Sequence, residues 1–287
     1  MMRRAALASI ISLTLTSATL AQTSAPPASG PAPIEPDRPD VTNGAHIVGA
    51  GLVQFELGGV LTRVMSGQHN FGSPITARIG ITKWLEARVA TDGLLSLSDG
   101  GTRATGFGNV QLGAKVRVWG DENGVPLISV LPAVNLPTAS AEKGLGSGDP
   151  DYSALLLTGV DLGARGHIDV NYGIGAIGAG GGQPHFVQHL GSASANLTIE
   201  KWSPYIELYA FSKMQPDGGV NAAVDWGVIY TANPRLAIDG GVQVGVSRAA
   251  PGFAAFGGVS FAIGAGRRPS GATSAFSRSA GPGSGGP

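Results

Sequence analysis

Apolar side chains recur at every second position along most of the chain between residues 50 and 264, and that period limits the folds open to it. Val53, Phe55 and Leu57 alternate with Gln54, Glu56 and Gly58. Val110, Leu112, Ala114, Val116 and Val118 alternate with Gln111, Gly113, Lys115 and Arg117. Ile168, Val170, Tyr172 and Ile174 are interleaved with Asp169, Asn171 and Gly173. Successive side chains of a strand point to opposite faces, so each stretch has one apolar and one polar face. Helical periodicity is not evident in any window, and the fold expected is all-β.

About twelve strands are expected, at 52–63, 74–81, 85–91, 106–119, 125–136, 152–162, 168–177, 186–199, 204–212, 220–231, 235–247 and 252–263. The connections between them alternate longer and shorter. Asp121-Glu122-Asn123-Gly124 and Ala232-Asn233-Pro234 carry tight-turn chemistry. In an up-and-down meander all the short connections collect at one end, as in a single-chain transmembrane β-barrel with short turns on one side and longer loops on the other. Trp84, Trp119 and Trp202 fall at or beside the short turns. They are expected as interface aromatics, part buried in lipid with the indole N–H wet.

Alternation alone does not say which face is inside. A soluble β-domain buries the apolar face, whereas a membrane barrel presents it to lipid and turns the polar face inward. The lumen-facing candidates are Gln54, Glu56, Arg78, Glu86, Arg88, Lys115, Arg117, Asp161, Asp169, Glu207, Asp225 and Asp239. Export favours the membrane reading. Met1-Met2-Arg3-Arg4, the apolar stretch 5–20 and the small residues Ala18 and Ala21 have the form of a secretory signal over 1–21. A Pro/Ala-rich segment, 22–44, would follow it, then the barrel, 45–264, and a disordered tail, 265–287.

Composition removes several functions. The chain has no Cys, which excludes a disulfide scaffold, a thiolate metal site and a Cys nucleophile. Nineteen Lys and Arg balance 19 Asp and Glu, leaving no basic field for nucleic acid. Gly173-Ile174-Gly175-Ala176-Ile177-Gly178 matches a dinucleotide fingerprint, but it lies inside an alternating strand rather than at a strand-to-helix turn. His185 and His189 would stand about 13 Å apart on a strand, too far for one ion. Asp149-Pro150-Asp151 reads as a turn. No catalytic residue, cofactor site or metal site is expected.

Asp37-Arg38-Pro39-Asp40 is the segment expected to matter most. It would fold into or across the barrel mouth, with Arg38 pairing to an inward carboxylate such as Glu56 or Glu86, and narrow the pore; otherwise it is a polar turn leading into the first strand. Twelve strands leave a narrow passage. Inward glycines such as Gly58, Gly80, Gly113, Gly173 and Gly241 would free volume there, and mixed inward charge permits a cross-lumen lattice of ion pairs.

Residues 36–44, Pro36-Asp37-Arg38-Pro39-Asp40-Val41-Thr42-Asn43-Gly44, resemble the N-terminal signature of an outer-membrane transporter family, the putative meta-pathway of phenol degradation proteins. So do Gly80-Ile81-Thr82-Lys83-Trp84-Leu85-Glu86-Ala87-Arg88 and Leu131-Pro132-Ala133-Val134-Asn135-Leu136-Pro137-Thr138. The resemblance covers roughly 36–263. It implies a single-chain barrel in the bacterial outer membrane and passive uptake of small, often aromatic or hydrophobic, solutes. Gly258, Phe261 and Ile263 of the last strand look like an outer-membrane assembly signal, so the expected partners are outer-membrane lipid, small-molecule solutes and the barrel-assembly machinery, with no nucleic acid. The alternatives are a structural or surface-interaction barrel with an occluded lumen, and a soluble exported β-protein.

Overall fold

The computed structural model describes residues 34–63, 69–99, 102–120 and 126–264. The expected signal segment, the tail and the turn at 121–124 lie outside the described residues. Fifteen strands follow in order. They are β1 (Leu52–Arg63), β2 (His69–Gly72), β3 (Ile75–Gly80), β4 (Leu85–Thr91), β5 (Leu94–Asp99), β6 (Thr102–Phe107), β7 (Val110–Trp119) and β8 (Leu127–Leu136). β9 (Asp151–Leu162), β10 (Gly166–Ile177), β11 (Phe186–Leu197), β12 (Trp202–Phe211), β13 (Asn221–Asn233), β14 (Leu236–Gly245) and β15 (Phe253–Gly264) complete the chain.

Each of these strands pairs antiparallel with its neighbours in one sheet, and β15 returns to β1 with an unbroken register from Leu52↔Gly264 to Arg63↔Phe253. That last pairing closes a barrel. Its wall comprises twelve strands, β1, β3, β4 and β7 to β15. Closure is what makes the fold compatible with lipid, because no open sheet edge is left in the wall.

β2, β5 and β6 prolong β3, β4 and β7 beyond kinks. The sequence expectation of loops at 64–73 and 92–105 is therefore corrected: each contains strand. At Gly93, whose φ is +66°, a Cβ would lie 1.9 Å from the Ser73 carbonyl oxygen. Glycine there lets two strands bend together and resume pairing above the bend. The expected strand over 106–119 is likewise interrupted at 108–109. Connections are short at one end (81–84, 163–165, 198–201 and 234–235) and longer at the other (137–150, 178–185, 212–220 and 246–252).

Side-chain placement is the reverse of a soluble domain. Arg78, Lys115, Glu56, Glu86 and Glu207 are among the largest fully buried side chains, with Lys115 at 0% exposure. Leu208 and Ile206, by contrast, are 54% and 56% exposed. Polar residues face an enclosed lumen and the apolar face points out. Trp84, Trp119 and Trp202 are exposed at or beside the short-turn end, while Trp226 is exposed in the wall.

Leu208 lies in mid-strand on the outer face, where a charge has no aqueous partner. Leu208→Arg is expected to destabilise the barrel by about 2–4 kcal/mol, measured by equilibrium folding into lipid vesicles; an effect near zero would contradict the outward placement.

Candidate functional site: a segment seated in the lumen

Residues 34–49 enter the barrel at the short-turn end and occupy that half of the lumen. The Ile34 amide donates to the Pro234 carbonyl (3.0 Å), and Ile34 packs on Ala237 and Ala262. Ala45 packs on Leu127, Leu131 and Leu157, and the Gly51 amide reaches the Gly80 carbonyl (2.9 Å) as the chain turns into β1. The segment contains Pro36 and Pro39, the latter after a cis peptide bond, and pairs with no strand. Its backbone groups therefore need side-chain partners.

The wall supplies them. Glu56 accepts from the Asp37 and Arg38 amides (3.3 and 3.2 Å), Glu86 from the Val48 amide (2.9 Å), and Glu207 from the Val41 and Thr42 amides (2.9 and 2.5 Å) and the Thr42 hydroxyl. Asn171 forms a two-way pair with Asn43: its Oδ1 accepts from the Asn43 amide (2.7 Å) while its Nδ2 donates to the Asn43 carbonyl (2.9 Å). Ser129 donates to the Ala45 carbonyl (2.6 Å), and Ser194 to Asp40 Oδ2 (2.6 Å).

Asp37 is the centre of charge. Its Oδ2 lies 2.9 Å from Lys115 Nζ, 2.6 Å from Arg88 Nη1 and 3.3 Å from Arg78 Nη1. Arg78 also grips Glu86 with two bonds (2.8 and 3.0 Å) and Glu56 with one (3.1 Å). Lys115 donates further to the Gly44 and His46 carbonyls (2.8 and 3.3 Å). Burial alone would raise the Asp37 carboxyl, but Arg78, Lys115 and Arg88 outweigh it and hold the group well below the usual carboxylate range. Asp40, on the same segment, is pushed well above that range by burial and then by Glu207.

Arg38 differs from the sequence expectation. Its guanidinium pairs with Asp239 (Nη2–Oδ1 3.0 Å, Nε–Oδ2 3.3 Å) rather than Glu56 or Glu86. Glu86 is occupied by Arg78, and Glu56 by backbone amides, Gln54 and Arg78. The guanidinium also lies over two directly paired glycines, Gly58 and Gly258. A Cβ at Gly58 would be 2.0 Å from Arg38 Nη1, and one at Gly258 would be 2.5 Å from Nη2. Likewise, a Cβ at Gly80 would meet the Gly49 carbonyl oxygen at 2.2 Å. Gly58 and Gly80, expected to leave pore volume, instead seat the segment, whereas Gly173 lines a cavity.

Other expected residues are dispersed. Asp161 and Asp169 both contact His167 (2.7 and 3.1 Å). Asp225 lies across from Glu207, and Gln54 donates to Glu56 (2.8 Å). Arg117 is on the inward face of β7 beside Lys115. His189 bonds Tyr172 (2.9 Å) on an exposed face, and His185 bonds the Pro150 carbonyl (2.8 Å). Residues 173–177 are strand and 178 follows it. Asn171, Ser129 and Ser194 were missed as site residues. Only their polar parity on alternating strands could have flagged them.

The long-loop half of the lumen is different. A cavity of about 190 Å³ is lined by Gln111, Asn135, Asp151, Ser153 and Gln188 together with Leu155, Ile177, Leu190 and Phe211. Val41 of the segment packs against the cluster of Leu190, Tyr209 and Ala223, which Leu155 and Phe211 also join. The arrangement can hold a small solute with both polar and apolar faces, above a segment that fills the rest of the lumen.

The model of one protein family, described as "Putative MetA-pathway of phenol degradation", matches residues 36–263. No curated protein matches the sequence. Among solved structures the chain is similar to an outer membrane channel from Pseudomonas putida F1, at 12% identity over 75% of this chain and 96% of that one, with a TM-score of 0.60; the likeness is one of fold. A KdgM porin in complex with disordered oligogalacturonate is similar at 10% identity over 72% of this chain and 98% of that one, with a TM-score of 0.48.

Two substitutions separate the contributions to seating. Asp37→Ala removes the carboxylate that Lys115 contacts and one partner each from Arg88 and Arg78, and should weaken docking by about 3–5 kcal/mol. Gly58→Ala only displaces the Arg38 guanidinium from Asp239, and should cost about 1.5–3 kcal/mol. Protease nicking of the segment in the folded protein reads both. Protection equal to that of the unaltered chain in both variants would contradict the seating geometry.

Proposed function

Because the chain belongs to the family described as putative MetA-pathway of phenol degradation, whose model spans residues 36–263, we propose that this outer-membrane barrel is a channel for passive passage of small aromatic or hydrophobic solutes. The observation that carries the reading is the division of the lumen. A recess with amide and aliphatic walls opens on one half, and a segment without ladder hydrogen bonds fills the other.

A phenol-like solute matches that recess in kind. Its ring would lie against Leu155, Leu190 and Phe211, and its hydroxyl would meet the side chains of Gln111, Asn135 or Gln188. The short-turn end is assigned to the periplasm, where outer-membrane barrels keep their short turns. Passage beyond the recess then requires the 34–49 segment to shift. Its contacts to the wall are mostly side-chain bonds and apolar packing outside the ladders, so it can move while the β-ladders stay intact. Outer-membrane lipid around the apolar face and the barrel-assembly machinery are the partners this reading implies. The occluded structural barrel differs in one respect, in that its segment never moves.

Deleting residues 36–42 tests the reading. Single-channel conductance in planar bilayers should rise several-fold, and liposomes carrying the shortened protein should swell faster in small solutes. Unchanged conductance would overturn the gating role of the segment, and no permeation by either form would favour the occluded barrel.

A further inference from the structure

Away from Asp37 the lumen holds a second group of charges. Carboxylate oxygens of Asp40, Glu207 and Asp225 lie within 4.8 Å of one another. They come from three places: Asp40 from the lumen segment, Glu207 from β12, and Asp225 from the directly paired position on β13. Among the described residues, no Lys, Arg or His forms an ion pair with any of the three. Glu207 is occupied by Val41 and Thr42 and Asp40 Oδ2 by Ser194, but Asp40 Oδ1 and Asp225 Oδ1 are buried without a hydrogen-bond partner.

A separate feature points into the same space. Tyr205 is 6% exposed, and its hydroxyl has no hydrogen-bond partner. It occupies the inward position next to Glu207 on β12, and its hydroxyl lies 2.8 Å from where a Cβ on Gly227, its cross-strand partner, would stand. Gly227 and Asp225 are successive inward positions of β13, as Tyr205 and Glu207 are of β12, so the hydroxyl lies beside the paired carboxylates. A buried, unpaired oxygen is costly, and this one stands next to the Glu207–Asp225 pair.

Three carboxylates this close do not all stay ionised in a buried site unless a positive charge joins them. Calcium takes six to eight oxygen ligands at about 2.3–2.6 Å, which sets opposed ligands roughly 4.6–5.2 Å apart and tolerates irregular geometry. Oxygens within 4.8 Å of one another fit around such an ion. We propose that Asp40, Glu207 and Asp225, with the Tyr205 hydroxyl, bind a divalent cation of the calcium class. The ion clamps the lumen segment to the β12–β13 wall, with water and the second carboxylate oxygens completing its shell. The clamp holds the opposite side of the segment from Asp37 and requires no solute passage.

The test uses the full chain folded in detergent, stripped with EDTA and titrated with calcium chloride by calorimetry. One calcium per chain should bind, in the roughly 10⁻⁴–10⁻³ M range of extracellular sites, and calcium should slow protease nicking of the segment. Asp225→Asn and Asp40→Asn should each weaken binding by about tenfold or more. Asp40 lies outside every strand, so its variant keeps the barrel ladders, and unchanged heat-modifiability on gels checks both proteins. No binding at millimolar calcium, or binding equally tight in both variants, would overturn the site, whatever the channel conducts.

Discussion

One carboxylate, Asp37, is the counter-ion for a set of wall cations that the seated lumen segment covers. Lys115 donates to Asp37 and to the Gly44 and His46 carbonyls, acceptors that all belong to the lumen segment. With the segment seated but Asp37 absent, that ammonium would be buried and uncompensated, which is far more costly than an unpaired charge at a surface. The segment has the converse need, since its amides depend on Glu56, Glu86 and Glu207. Each part satisfies polar groups that the other cannot satisfy alone, and the pairing glycines provide the room.

This mutual dependence has a mechanical consequence. The ladders of the wall close on themselves through β15 and β1, so barrel integrity does not require the segment. The bonds that seat the segment are directional side-chain contacts at the short-turn half, and the apolar contact of Val41 joins them to the recess above. A change at the recess floor therefore reaches Asp40 and Thr42 through one neighbouring residue. That is the shortest route by which a solute in the recess could influence the segment.

Much of this was legible in the sequence because a strand repeats every two residues. Parity alone sorted Glu56, Arg78, Glu86, Lys115 and Glu207 to one side and Leu112 and Leu208 to the other, and the alternation of short and longer connections placed the three rim tryptophans together. The Asp-Arg-Pro-Asp run was legible as a lumen element because charges at the edge of an apolar barrel find opposite charges on its inner wall. The partner of Arg38 was not legible. Asp239 is 201 positions away, and only the closing register of β15 against β1 and β14 brings it under the guanidinium. Gly58 and Gly258 form a floor for the same reason. Ser129, Asn171 and Ser194 are neutral, and inward neutral residues look alike until a backbone lies against them. The strands β2, β5 and β6 were hidden because Ser, Thr and Gly around a kink resemble a loop.

The central claim is that residues 34–49 lie inside the barrel against named wall positions. The absence of Cys from the chain makes this directly measurable. Asp40 Oδ2 and Ser194 Oγ are 2.6 Å apart, so the double variant Asp40→Cys, Ser194→Cys should crosslink within the chain under mild oxidation or with a short thiol reagent, in native outer membranes. The bridged chain should then run anomalously on a denaturing gel until reduced. Failure of the pair to crosslink in the folded barrel, with both thiols freely reactive to a bulky aqueous reagent, would contradict the account.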